Sequence, residues 1–147
     1  MKYSESQMGR VFVLRMEDGD TINDTVEAFS AEKGIASALV FYVGGVAANS
    51  TVVVGPSTDA VEGIVPLMHT FSEPHESFAV GTVFPNEDGR PVLHMHAASG
   101  REGGATVGCT RAGVQTWLIG EVVIVELLGA SAHRKIDPSS GFELLEV

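Results

Sequence analysis

The sequence predicts an α+β domain: a curved, mostly antiparallel β-sheet with one main helix packed on it. Three observations predict it. One stretch, residues 21–33, carries an apolar repeat of helical spacing with start and stop signals. The remainder reads as short strand-like runs separated by turns that contain glycine or proline. The 147 residues are 44 % hydrophobic and 19 % charged, the balance of one globular domain with its own core. The 17 glycines fit a chain with many turns and close backbone approaches.

Residues 9–16, GRVFVLRM, alternate as a first strand, with Val11, Val13 and Arg15 on one face and Phe12, Leu14 and Met16 on the other. The turn EDGD leads to the helix. Asp20 or Thr21 can cap it, and Asp24 stands three after Thr21 as in a capping box. Ile22, Val26 and Phe29 form the apolar stripe, Lys33 suits the C-terminal end of the dipole, and Gly34 stops the helix. IASALVFYVGG, rich in β-branched and aromatic residues, is a buried strand, and STVVVG another, broken by Gly55-Pro56. Residues 61–69 read as a weaker strand. ESFAVGTVF and PVLHMHAAS form a hairpin around PNEDGR, with Asp88-Gly89 as the turn dipeptide. GREGG turns the chain into ATVGCTR. VQTWLIG and EVVIVELLG read as two strands around Gly120, and GFELLEV as a short terminal strand.

The formal net charge is −10 with only nine Lys and Arg, one small cluster of them at His133-Arg134-Lys135. Nucleic acid and anionic membrane are both disfavoured partners for such a chain. Cys109 is the only cysteine, so no intramolecular disulfide forms, which points to a reducing cytoplasm. The N-terminal MKYSESQMGR lacks the apolar core of a signal peptide. The longest apolar run, Val122–Val125 continued by Leu127-Leu128, is interrupted by Glu126 and cannot span a bilayer as a helix.

Chemistry concentrates in PVLHMHAASGREGGATVGC. On a strand, Leu93, Met95 and Ala97 share one face, expected to be the core. His94 and His96 share the other, with β-carbons about 7 Å apart, close enough to converge on one metal ion. GREGG is short enough to lay ATVGC beside the histidines and bring Cys109 to the same face, although register and bulges stay open. Two imidazoles and a thiolate suit zinc, with a fourth position for water. The alternative is a polar face with two ordinary histidines and a buried, inert cysteine. His69 and His75 are loop-region histidines that could face the same cavity; His133 reads as a surface residue. Glu73, Glu76 and Glu102 are the carboxylates near enough in sequence to act as a base beside a metal. Arg111 could favour the Cys109 thiolate.

Three stretches together resemble the plants-and-prokaryotes-conserved (PPC) domain. They are GRVFVLRMEDGDTINDTVEAFSAEKGIASALVFYVGGVAANSTVVVG, HESFAVGTV and LHMHAASGREGGATVGCTRAG. The third resembles the family's most specific signature, a His-x-His followed by a glycine-rich turn and a Gly-Gly-His triplet. The resemblance implies a compact α+β fold that forms homotrimers. It also implies histidines that hold a metal, usually taken as zinc, in some stand-alone prokaryotic members. Carried over, His94 and His96 match the first two histidines, and Cys109 stands at the third. Val107-Gly108 stand where Gly-Gly would be. Plant members add a basic Arg-Gly-Arg hook for DNA, and no such motif occurs in this chain.

The expectation is a cytoplasmic, homotrimeric PPC-domain protein with a zinc site of His94, His96 and Cys109. Two other classes stay open. One is a DNA-associated regulator, by family analogy. The other is a small metal-dependent enzyme resembling a cupin, whose Gly, His-x-His and Glu pattern GRPVLHMHAASGRE matches with poor spacing and no second motif.

Overall fold

Among the described residues, eight antiparallel strands build one open sheet, and a single α-helix covers one of its faces. The structure, a computed structural model, describes residues 1–57 and 64–147, so the beginning of the weak strand expected over 61–69 lies outside the described residues. The elements in chain order are β1 (Gln7–Glu17), α1 (Ile22–Lys33), β2 (Ala38–Val46), β3 (Thr51–Pro56) and β4 (Pro66–Thr70). There follow β5 (His75–Pro85), β6 (Pro91–Arg101), β7 (Gly104–Cys109), β8 (Thr116–Leu128), β9 (His133–Ile136) and β10 (Glu143–Glu146). The sheet order is β1-β8-β2-β5-β6-β7-β3-β4, and β9 and β10 pair separately as a hairpin.

Alternation sorts the strands into two faces. Met16, Val40, Tyr42, Val83, Met95, Val122 and Ile124 point into the core, where Ile22 and Val26 of α1 meet them. Phe29 packs at the rim, edge-on to Phe12 with ring centroids 5.3 Å apart. The buried stripe of the helix continues through Ser30. Gly34, at φ 64°, closes the helix, its N–H directed at the carbonyls of Ala31 and Ser30. The expected capping box does not form: Thr21 holds the N-cap position without a side-chain bond. Thr21 is instead extended and bridges Gln115.

The two strands expected around Gly120 are one continuous strand, β8. Gly120 permits a close contact there and does not break the strand. A Cβ on it would lie 2.6 Å from the buried Tyr42 ring, and Tyr42 in turn donates its hydroxyl to the Gly45 carbonyl at 2.7 Å. The irregularity is a bulge in β8: Leu118 and Ile119 are the extra residues opposite the Gly44-Gly45 step of β2, and Leu118 lies in the left-handed region at φ 59°. The strand expected through Arg111 stops at Cys109. Thr110–Ala112 form a 3-10 turn, because the Thr110 hydroxyl bonds Asn23 Oδ1 at 2.6 Å and turns the chain inward.

The face opposite α1 is apolar and open. Its central row runs across five strands as Val13, Val123, Phe41, Val80 and His96, each paired with the next. A second row holds Val43 and Phe78. Val13 is 77 % exposed and Phe78 63 %.

Candidate metal centre

β6 is the axis of the site. Its pairing with β5 sets Leu93, Met95 and Ala97 towards the core and leaves His94 and His96 on the open face. β7 pairs with β6 only from His96 onward, so the outer edge of β6 near Leu93 lacks a strand partner. Side chains from α1 supply the missing bonds. Leu93 N donates to Glu27 Oε1 at 2.8 Å, and Asn23 Nδ2 donates to Leu93 O at 3.2 Å. Thr110 Oγ1 reaches Met95 O at 3.3 Å. The helix and the 3-10 turn thereby fix the backbone on the two sides of His94.

The short turn at 102–103 sends β7 back with His96 directly opposite Cys109. Directly opposed residues of an antiparallel pair share a face, so sulfur and imidazoles meet on the same side of the sheet. Gly108 makes room for the next strand: a Cβ there would lie 2.8 Å from Val52 Cβ and 2.9 Å from Val53 O. Val53 pairs with Cys109, and the thiol is buried, 3 % exposed.

The donor atoms of His94, His96 and Cys109 all lie within 4.8 Å of one another. The two Nε2 atoms are 3.1 Å apart. Nitrogens at about 2.05 Å from a tetrahedral ion would stand about 3.3 Å apart, so the imidazoles are set close to ligating separation. Burial lowers the His94 imidazole below its ordinary value, and the charges of Arg134 and Arg111 push the same way. Burial lowers His96 too, followed by His94 and Arg111. Both shifts favour the neutral ring, the form that donates to a metal. Arg111 Nε directs a hydrogen bond at Cys109 Sγ, 3.0 Å away. The donor set therefore fits a borderline-soft divalent ion such as zinc, which bound there would act as a Lewis acid or a structural tie.

The other histidines stand elsewhere. His69 lies on β4, edge-on to Phe71 with centroids 5.4 Å apart. His75 lies against the same ring at 4.3 Å, its Nδ1 2.8 Å from Glu73 O. Neither belongs to the donor cluster. His133 is half-exposed, 3.7 Å from Glu146. The carboxylates singled out by sequence proximity also miss the centre. Glu76 and Glu102 line a separate surface depression with His75, Arg101 and Trp117, and Glu73 is exposed in the preceding loop.

A cavity of about 670 Å³ opens beside the cluster. The sheet supplies His94, His96 and Cys109, β3 supplies Val53, and the C-terminal hairpin supplies Arg134, Phe142, Glu143 and Leu144. Arg134 is the functional candidate that sequence reasoning missed, since it sits within a basic triplet that reads as solvated. Alternation along β9 is the signal that separates it: His133 and Lys135 lean out, and Arg134 turns in to 4 % exposure.

Comparison with known proteins gives the following likenesses. The family model of the Plants and Prokaryotes Conserved (PCC) domain matches residues 3–128. A solved structure of a metal-containing protein from Archaeoglobus fulgidus superposes with a TM-score of 0.83 at 26 % identity, covering 100 % of both chains. A plant- and prokaryote-conserved (PPC) protein from Pyrococcus horikoshii gives 0.80 at 22 % identity, over 100 % of this chain and 98 % of that one. A protein from Ralstonia eutropha JMP134, named as a candidate DNA-binding protein, gives 0.69 at 18 % identity over 92 % and 90 %. The last two establish likeness of fold alone. No curated protein matches the chain.

Proposed function

The chain belongs to the Plants and Prokaryotes Conserved domain family, and from that premise we propose that it is a zinc-binding, homotrimeric protein of this family, with His94, His96 and Cys109 as the ligands. One observation carries the reading: His96 and Cys109 are directly paired across β6 and β7, and His94 lies two residues along the same face. That placement converts three residues distant or ordinary in sequence into a convergent donor set of two imidazole nitrogens and one sulfur. The metal-containing relative from Archaeoglobus fulgidus supports it. The open apolar sheet face supports assembly, since an exposed surface of this kind marks a contact with another protein.

The DNA-associated reading has no comparable support. The net charge is −10, and one of the few basic side chains, Arg134, is turned into the cavity. Metal analysis of the purified protein tests the proposal. One zinc per chain is expected, falling to background in the double variant His94→Ala/His96→Ala. Zinc content that the double variant leaves unchanged contradicts the assignment.

A further inference from the structure

Arg134 carries a charge that the protein surrounds without pairing. It is 4 % exposed, its Nη2 donates to Thr82 Oγ1 at 3.0 Å, and its buried Nε has no hydrogen-bond partner. No carboxylate lies within ion-pair distance of it among the described residues. Burial lowers its pKa; the charges of Glu143 and Cys109 raise it and Arg111 lowers it. A guanidinium removed from water at this cost needs an anion close by.

Both Arg134 and Arg111 line the cavity beside His94, His96 and Cys109, in a chain whose overall charge is −10. The rest of the lining is mostly apolar, with Val53, Val107, Phe142 and Leu144 and one carboxylate, Glu143; the Arg111 guanidinium lies over the Phe142 ring, 5.8 Å from its centroid. The volume of about 670 Å³ falls in the usual range for a small-molecule site, about 300–1,000 Å³. The cavity thus sets two planar guanidinium forks, Arg134 and Arg111, beside apolar side chains, several of them from the C-terminal hairpin.

We infer that this cavity binds a small organic anion, whose carboxylate or phosphate head is held by Arg134 and Arg111 and whose apolar body lies against Phe142, Leu144 and Val107. The guanidinium geometry matches the two oxygens of such a head. Thr82, which faces His94 across β5 and β6, orients Arg134 from the sheet. The inference goes beyond the metal assignment and does not need it, because the arginines and the apolar wall are residues other than the three proposed ligands.

Calorimetric titration of the full chain with octanoate, octyl phosphate and neutral octanamide tests it. Octanoate or octyl phosphate binds once per chain and octanamide binds roughly tenfold weaker or worse, since a charge-assisted head contact is lost. Arg134→Gln reduces affinity for the bound anion by a similar factor and leaves octanamide unchanged. Arg111→Gln, at an exposed position, lowers anion affinity in the same direction. Equal affinity for octanoate, octyl phosphate and octanamide overturns the inference. So does failure of both anions to bind, or anion binding that neither arginine substitution alters. Repeating the titration after chelator treatment separates the two claims. Anion affinity that survives metal removal and still depends on the arginines supports the cavity whatever the zinc content. Anion affinity that vanishes with the metal and ignores the arginines overturns it.

Discussion

Gly120 and Tyr42 illustrate how single positions set this architecture. The Tyr42 ring passes over the Gly120 backbone and its hydroxyl closes onto Gly45 O, so the bulge at Leu118-Ile119 and the absence of a side chain at Gly120, both in β8, are parts of one device. Gly120→Ala forces a methyl group into a buried aromatic ring and is expected to destabilise the fold by about 1–3 kcal/mol, measured by thermal melting. An unchanged midpoint would show that the ring can shift freely. Cys109 depends on its neighbours in the same way. Its sulfur reaches the histidines because Gly108 lets β3 close over β7, and Arg111 holds it from the side.

Among the elements, the edge pair β1 and β8 carries an electrostatic clasp. Arg10 donates from Nη2 to Glu126 Oε1 at 2.6 Å and from Nε to Oε2 at 2.7 Å, and also reaches the end of α1 at Lys33 O. These bonds hold the buried Glu126 carboxyl down from an ordinary 4.5 to about 2. A carboxyl depressed in the folded state stabilises it fully above the ordinary value and loses that contribution as pH falls towards the folded one. The melting-temperature difference between the native chain and Arg10→Gln is therefore expected to be largest near neutrality and to shrink between pH 4.5 and about 2. A difference that stays constant across that window would mean the clasp contributes nothing through charge. The helix was readable from Ile22, Val26 and Gly34, since repeat and stop signal coincide. Its role was not, because Asn23 and Glu27 serve the edge of β6, some seventy residues on, and no local pattern encodes that partnership.

In the whole molecule, the sheet presents two unlike faces, one sealed by α1 and one apolar and open. The α+β class and His94, His96 and Cys109 as a group were readable, because period-two alternation and a short turn constrain where those side chains go. The sheet order, the continuity of β8 and the inward turn of Arg134 depend on pairings remote in sequence and could not be read locally. The open face bears on assembly. Phe78→Asp, on its surface and far from the core, is expected to convert the proposed trimer to monomer in light scattering, whereas a native chain that already scatters as a monomer would remove the assembly claim. The metal assignment is tested most directly by X-ray absorption at the zinc edge. Ligation by His94, His96 and Cys109 gives a first shell of nitrogen at about 2.0 Å and one sulfur at about 2.3 Å, the sulfur signal disappearing in Cys109→Ser. A zinc shell with no sulfur in the native protein would contradict it.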